Sequence, residues 1–236
     1  MSNNQRPLYA VLIDADNIPA KHAGAILKEI TSFGEPALRR VYGDWSSGRL
    51  GPWTRAVRDL GLVAHQETAN TTGKNASDIG LVIDAMDILH TSRFDGFVLV
   101  SSDSDFTALA NRVREQGMDV IGIGEGKAPE SLRNVCNRFI LIENIVDEPA
   151  PMEKGATATA KRNPTEAIPL ILNAMDKINS DDEWYALGQL GQYVTRDNPD
   201  FDPRTYGKKK LSDLVGHLKR FETKTIGNQL HARRVD

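Results

Sequence analysis

The sequence predicts an α/β domain with a parallel sheet flanked by helices, followed by a small C-terminal winged helix-turn-helix domain. Up to about residue 146, short apolar runs alternate with segments of helical period, a pattern typical of parallel sheets covered by helices. Beyond a break in composition, three segments of helical period precede a short hairpin pattern. These patterns predict two domains, over residues 1–146 and 164–236, joined by a linker.

Six strands and several intervening helices can be placed in the first domain. Apolar runs such as LYAVLI and FVLV suit strands that are buried on both faces. Residues Ala76–His90 and Phe106–Glu115 carry apolar side chains at helical spacing. In Ala76–His90 these side chains are Ile79, Val82, Ile83 and Met86. The predicted strands are Leu8–Ile13, Leu38–Tyr42, Leu62–His65, Phe97–Val100, Val120–Ile123 and Phe139–Ile142.

The linker and the second domain follow. Residues 147–163, DEPAPMEKGATATAKRN, have little bulk to bury and form the predicted linker. An apolar helical stripe runs from Ile168 to Ile178, although Pro169 should delay or kink that helix. Two more helices and a hairpin complete the predicted domain: Tyr185–Val194, Lys209–Phe221 and two short strands about Gly227-Asn228.

The composition is that of a folded protein from a reducing compartment. Apolar residues make up 40% and charged residues 26% of the 236 positions, so a sizeable core can be buried. Cys136 is the only cysteine, which excludes an intrachain disulfide and a Cys-rich zinc site. Asp14 interrupts the N-terminal apolar run too early for a signal or membrane segment. We therefore expect a cytoplasmic protein that does not contact membranes.

Basic residues are concentrated towards the C-terminus. Residues 161–236 hold 13 Lys and Arg against 11 Asp and Glu, whereas residues 1–160 hold 16 against 21. The stretch from Arg204 to Arg234 is the most basic, with nine basic side chains and only two acidic ones. This stretch could neutralise the phosphates of a nucleic acid.

Acidic side chains follow two strands that we expect to be neighbours. In an open parallel sheet the functional crevice lies beyond the carboxyl ends of the strands, where the strand order reverses. The first strand is followed by DADN (residues 14–17), and the fourth by SSDSD (residues 101–105). The segment GKNASD also places Asp78 in the first turn of a helix. The sequence therefore predicts one acidic pocket at this edge of the sheet.

An acidic pocket of this kind needs a counter-charge, because neighbouring carboxylates repel each other and raise one another's pKa. Oxygen ligands without nearby His or Cys favour Mg²⁺ or Mn²⁺ over zinc. A divalent ion can activate water and stabilise the charge that develops on a phosphodiester. The pattern thus predicts metal-dependent hydrolysis of phosphodiester bonds.

Simpler roles remain open for single acids in the pocket. Asp105 and Asp16 are also placed to cap the helices that follow them. Asp84 lies six residues after Asp78, about 240° further round the helix and roughly 9 Å along it. These two side chains cannot share a face, so we expect a structural or accessory role for Asp84.

At these residues the sequence resembles the NYN family, and within it the bacterial LabA-like (DUF88) branch, whose fold is related to the PIN and FLAP nucleases. The matching segments are YAVLIDADNI, GKNASDIGLVIDAMD and FVLVSSDSDFTALANRVREQGMDVIGIG, which span most of the first domain. The resemblance implies a PIN-like sheet and a metal-dependent ribonuclease site. It also implies metal-binding acids with two accessory residues beside them: Asp14, Asp78 and Asp103, then Asn17 and Asp105.

The C-terminal segment EWYALGQLGQYVTRDNPDFDPRTYGKKKLSDLVGHLKRF is similar to OST-HTH, or LOTUS, domains. This similarity implies RNA binding and association with a nuclease of the NYN type. A solvated basic face is the alternative interpretation of the charges. The residues that we expect to contact RNA phosphates lie at a helix start and on the wing: Lys208, Lys209, Lys210, Arg233 and Arg234.

Further contacts to RNA are predicted in the first domain. Lys74 and Arg49 are candidates for phosphate contacts, or else are ordinary surface residues. Trp45 and Trp53 flank a Ser-Ser-Gly loop after the second strand. They could stack on the bases of a single strand or pack against the core.

Two other functions remain open. In a phosphatase of the haloacid dehalogenase type, Asp14 would be the nucleophile. Ile18 stands where that family usually has Thr or Val, and no cap insertion is evident in the sequence. A non-catalytic protein could also bind RNA or a metal ion through the same carboxylates. A homodimer is compatible with the sequence.

Overall fold

The protein is described by a computed structural model over residues 6–66, 76–91, 93–146, 161–178 and 182–235. The chain divides into two compact units, Met1–Asp147 and Glu148–Asp236. Within the described ranges, every helix is too short or too polar to span a bilayer.

A six-stranded parallel sheet forms the centre of the first unit. Its strands are β1 (Leu8–Asp14), β2 (Glu35–Gly43), β3 (Val63–Gln66), β4 (Gly96–Val100), β5 (Asp119–Gly124) and β6 (Arg138–Leu141). The strands lie in the order 3-2-1-4-5-6, and every neighbouring pair is parallel. The neighbours β1 and β4 therefore mark the point where the strand order reverses, as the sequence predicts.

Helices cover both faces of this sheet. They are α1 (Ala23–Ile30), α2 (Gly51–Leu60), α3 (Ala76–Leu89), α4 (Thr107–Glu115) and α5 (Glu130–Val135). Alternate residues of β1 enter opposite cores, because successive side chains of a strand point to opposite faces. Val11 and Ile13 pack with α1 and α2, whereas Ala10 and Leu12 pack with α3, α4 and α5.

The helix predicted over Ala76–His90 is confirmed as α3, which ends one residue earlier, at Leu89. Ile79 and Ile83 are 60% and 59% exposed, and Val82 and Met86 are only partly buried. The sequence did not indicate which face of the helix is buried, because its apolar residues lie on several sides. The side chains that enter the core are Leu81, Ala85, Ile88 and Leu89.

Asp84 joins α3 to the middle of the sheet. Its carboxylate accepts hydrogen bonds from the guanidinium of Arg40 and the hydroxyl of Tyr42, both on β2. Burial and the neighbouring Asp84 raise the pKa of Tyr42, which therefore stays a hydrogen-bond donor. These contacts fix α3 against the sheet and agree with the structural role expected for Asp84.

The second unit consists of three helices and a small antiparallel sheet. Its elements are α6 (Ile168–Lys177), β7 (Tyr185–Ala186), α7 (Leu187–Asp197), α8 (Leu211–His217), β8 (Phe221–Ile226) and β9 (Gln229–Arg234). The strand order is β7-β9-β8, and Gly227, at φ 60°, opens the two-residue turn of the wing. This is the winged arrangement predicted from the sequence.

Several boundaries in this unit differ from the prediction. Tyr185 belongs to a short strand paired with β9, so α7 begins two residues later than expected. The helix α8 ends at His217, because Leu218 takes an extended backbone and Phe221 pairs with Arg234 in the wing. Pro169 lies in the first turn of α6, after a short 3-10 helix, which agrees with the predicted delay.

Candidate active site and nucleic-acid interface

Asp14 ends β1 and is the most buried acid of the predicted pocket, with only 1% of its surface exposed. Its Oδ1 accepts hydrogen bonds from the backbone N–H groups of Asp16 and Asn17, at 3.1 and 3.2 Å. Its Oδ2 accepts from Asn17 Nδ2 at 2.7 Å and from Ser101 Oγ at 2.9 Å. Burial raises the pKa of Asp14, while the hydrogen bonds from Ser101 and Asn17 lower it.

Ser101 connects the ends of β1 and β4. Its side chain is buried, donates to Asp14, and accepts a hydrogen bond from the backbone N–H of Asp103 at 3.1 Å. The next residue, Ser102, is also buried, but its Oγ accepts from the backbone N–H of Glu125 beyond β5. Ser101 therefore links two of the predicted site acids, whereas Ser102 links β4 to β5.

Asp103 and Asp105 form the turn that leads into α4. The Asp103 carboxylate accepts a hydrogen bond from the backbone N–H of Asp105 at 3.0 Å and caps the 3-10 helix Ser104–Phe106. Asp105 itself is exposed. The cap of this turn is thus Asp103, and not Asp105 as considered from the sequence.

The helix α3 is attached to the loop after β1 by a side-chain hydrogen bond. Ser77 Oγ donates to Asp16 Oδ2 at 3.0 Å. Asp16 does not cap the 3-10 helix Ala20–His22, whose N-cap position is occupied by Pro19 without a side-chain hydrogen bond. The contact places the first turn of α3, and with it Asp78, beside the loop that carries Asp14.

The pKa of Asp78 shows that the predicted acids share one electrostatic environment. Burial is the largest cause of the shift, which raises the pKa of Asp78 from 3.8 to about 6. Four further carboxylates raise it as well, in decreasing order those of Asp14, Asp103, Asp105 and Asp16. Since charges interact strongly only over short distances, the three chain segments converge as predicted.

The carboxylates of Asp14 and Asp103 are hydrogen-bonded to protein groups. Among the residues that the structure describes, no three His, Cys, Asp or Glu side chains are arranged to hold one metal ion. A triple ligation by Asp14, Asp78 and Asp103 therefore stays a prediction. Mg²⁺ usually takes only one or two carboxylates and completes its shell with water and substrate phosphates. The oxygen-only donor set fits such an ion.

Two of the residues considered for RNA stacking have other contacts. Trp53 is 2% exposed, and its indole N–H donates to the backbone carbonyl of Ile18 at 2.9 Å. Trp45 is partly buried, and its indole N–H donates to the carbonyl of His65 at 2.7 Å. Of the two alternatives considered for Trp53, packing against the core is the one observed. Lys74 lies outside the described residues.

A cleft of about 360 Å³ lies beside the acidic residues. One wall is the segment from Ala15 to Lys21, and the other runs from Arg49 to Trp53. Asn17 lines this cleft and also donates its side-chain hydrogen bond to Asp14. Asn17 therefore separates the cleft from the buried carboxylate.

The basic residues predicted for the C-terminal unit differ in their surroundings. Lys209 and Lys210 are exposed just before α8 and Lys208 is half-buried, as expected for a basic helix start. Arg233 forms ion pairs with Glu222 at 2.7 Å and Glu183 at 3.4 Å. Arg234 pairs with Asp176 at 3.0 Å. The charges of both wing arginines are thus partly offset inside the unit.

Trp184 lies beside the basic wing, and no role was predicted for it from the sequence. It lies next to β7, partly exposed, with the guanidinium carbon of Arg233 5.0 Å and Lys224 Nζ 5.8 Å from its ring centroid. No role was predicted for Ser101 either, although it is the first residue of the SSDSD segment. The signal for Trp184 was an aromatic residue in a basic domain, and for Ser101 a small polar residue directly after a buried strand.

Comparisons with known proteins agree with this architecture. The sequence matches the NYN domain over residues 9–143, more than half of the chain, and the OST-HTH/LOTUS domain over residues 160–231. A search of curated proteins finds no match.

Among solved structures, the chain is similar to a protein of unknown function from Vibrio parahaemolyticus. That similarity has 20% identity and a TM-score of 0.52, and covers 60% of this chain and 96% of the other. MurG of Acinetobacter baumannii aligns with 10% identity and a TM-score of 0.39 over 83% of this chain and 65% of its own. The similarity to the Vibrio protein supports the fold, whereas the TM-score of the MurG alignment is too low to support an argument. On its sequence match, the chain belongs to the NYN domain family, of the PIN-like nuclease superfamily, and carries a C-terminal OST-HTH/LOTUS domain.

Proposed function

We propose that this protein is a metal-dependent ribonuclease whose C-terminal domain binds the RNA substrate. The observation that carries the proposal is the convergence of acids from the ends of β1 and β4 and the start of α3. Burial and, after it, the charges of the neighbouring acids raise the pKa of Asp78, so the arrangement is unfavourable when all of the acids are charged. Structures rarely keep such an arrangement without a function that uses it.

The donor set favours Mg²⁺ or Mn²⁺ as the cofactor. Asp14, Asp78 and Asp103 would hold the ion, and their carboxylates supply only hard oxygen ligands. When bound, such an ion activates water for attack on the phosphodiester and neutralises charge on the phosphate. It would also remove the repulsion that raises the pKa of Asp78.

The chain's own residues orient the acids for this chemistry. Ser101 and two backbone N–H groups fix the carboxylate of Asp14, and the Asp105 N–H fixes that of Asp103. Because each oxygen of Asp14 already accepts two hydrogen bonds, we expect the Asn17 side chain to release its bond when the ion binds. Asp105 is exposed and would accept a hydrogen bond from the attacking water.

The choice of RNA as substrate rests on the C-terminal domain. The OST-HTH/LOTUS match supports RNA binding, and exposed lysines before α8 supply cations for phosphates. Trp184 supplies an aromatic ring beside Lys224 and Arg233 for contact with a base. The nuclease domain and the binding domain would then act on the same strand.

Cleavage of labelled RNA by the full chain tests the proposal. We expect cleavage with Mn²⁺ and none with EDTA, and we expect Asp103→Asn to abolish cleavage while RNA affinity is kept. Asp119→Asn is the matched control, because Asp119 is exposed at the amino-terminal end of β5, opposite the strand ends that carry the acids. A generic phosphate ester is assayed in parallel. Equal RNA decay by Asp103→Asn and the parent, or turnover of the ester alone, would contradict the proposal.

A further inference from the structure

The cleft beside Asn17 has features that the acid site does not use. Its apolar surface includes Pro19, Leu50, Pro52 and the core residue Trp53. Its charged lining consists of two cationic side chains, Lys21 and Arg49, and one acidic side chain, Asp16. The cations stand on different elements, one following the loop after β1 and the other preceding α2. An apolar floor between two cations suits a nucleotide, which presents a flat base or sugar flanked by phosphates.

We propose that this cleft holds the nucleotide adjacent to the bond that is cleaved, with Lys21 and Arg49 binding its phosphates. The inference rests on the proposed ribonuclease function and adds a substrate subsite to it. The cleft volume of about 360 Å³ is at the lower end of the range of about 300–1,000 Å³ for small-ligand pockets, and thus suits one nucleotide.

Asn17 connects the cleft to the acid site. Its amide donates to Asp14 at 2.7 Å, and the same side chain lines the cleft. A nucleotide seated in the cleft would therefore contact Asn17, which itself contacts Asp14. The geometry needs no rearrangement of the core, because Trp53 is already fixed by its hydrogen bond to Ile18.

Electrostatics explain why cations are needed at this place. The acids that raise the pKa of Asp78 also repel the phosphates of an approaching strand. Lys21 and Arg49 are both exposed, and they line the cleft that adjoins this acidic group. They attract the strand where the acids alone would repel it, and so direct it towards the mouth of the site.

The indole N–H signals of the tryptophans provide a direct test in the full chain. The protein has three tryptophans, of which Trp53 lines the cleft and Trp184 belongs to the C-terminal domain. A short single-stranded oligoribonucleotide is titrated in the presence of EDTA, which prevents cleavage, and the signals are assigned with Trp→Phe variants. We expect the Trp53 signal to shift and saturate.

Charge removal then shows whether the cleft binds phosphates. In Lys21→Ala and Arg49→Ala, we expect the RNA concentration for half-maximal shift of Trp53 to rise roughly 10- to 100-fold. The Trp184 titration should be unchanged. Lys28→Ala on α1 and Arg58→Ala on α2 are matched controls, since both residues are exposed and do not line the cleft.

The outcomes separate this inference from the proposed function. A Trp53 signal that stays unmoved while RNA saturates the Trp184 signal would overturn the cleft assignment. The assignment would also fail if Lys28→Ala and Arg58→Ala raised the RNA concentration for half-maximal Trp53 shift as much as Lys21→Ala and Arg49→Ala do. Absence of cleavage by the parent with Mn²⁺, together with a saturating Trp53 shift, would overturn the nuclease proposal and leave the binding cleft standing.

Discussion

Replacing Ser101 by alanine removes the hydroxyl that joins the ends of β1 and β4. The side chain is buried, donates to Asp14 at 2.9 Å and accepts from the Asp103 N–H at 3.1 Å. Loss of a hydrogen bond to a buried charged group costs roughly 1.5–3 kcal/mol. We expect the free energy of unfolding of Ser101→Ala to fall by about that amount in guanidinium chloride titrations.

The same change should weaken metal binding and catalysis. The hydrogen bond from Ser101 lowers the pKa of Asp14, so its removal raises that pKa further and lets protons compete with the ion. We expect calorimetric Mn²⁺ affinity near neutral pH and the rate of RNA cleavage each to drop roughly tenfold, equivalent to about 1.4 kcal/mol.

Ser102→Ala is the control for this prediction. Ser102 is similarly buried, but its hydroxyl contacts the Glu125 N–H and no site acid in the described structure. We expect this variant to lose about 1 kcal/mol of stability while keeping metal affinity and cleavage. Equal metal affinity and equal cleavage in the two serine variants would refute the reasoning that Ser101 positions Asp14.

Three further predictions follow from the structure. Asp84→Asn, which weakens the link between α3 and β2, should lower the free energy of unfolding by about 2–4 kcal/mol, and Asp87→Asn on the exposed side of α3 by less than about 0.5 kcal/mol. The pKa of Asp78 in the folded protein is raised from 3.8 to about 6, so the stabilising contribution of Asp78 is complete below pH 3.8 and is lost as the pH rises through about 6. The metal-free protein should therefore lose stability between about pH 4 and pH 6. Asp78→Asn should flatten this pH profile of the free energy of unfolding, measured by chemical denaturation. Lys209→Ala should reduce the salt dependence of RNA affinity by about 0.7 in the log–log slope, whereas Lys177→Ala, which only breaks an exposed pair with an acid of α7, should leave the slope unchanged.

The sequence could predict the sheet and the position of the acids because both follow from strong local patterns. Nearly continuous apolar runs identified buried strands, and the reversal of strand order between β1 and β4 brought Asp14 and Asp103 to one edge. Asp78 was placed by its position in the first turn of a helix. These inferences need only the order of elements and not the details of packing.

What the sequence could not predict depends on side-chain packing. The apolar residues of α3 lie on several sides of the helix, so the sequence could not indicate that Ile79 and Ile83 are exposed. A tryptophan near a polar loop is equally suited to stacking or to the core until its hydrogen bond is known, as for Trp53. The ion pair between Arg233 and Glu183 joins residues 50 positions apart, which no local pattern indicates. The predicted cytoplasmic location and homodimer stay predictions.

A crystal of the full chain soaked in Mn²⁺ tests the central claim most directly, because the anomalous signal of manganese locates each bound ion. The account predicts an anomalous peak at the C-terminal edge of the sheet, within coordination distance, about 2.0–2.2 Å, of at least two of Asp14, Asp78 and Asp103. Manganese bound elsewhere on the chain, with these carboxylates still hydrogen-bonded only to protein groups, would contradict it.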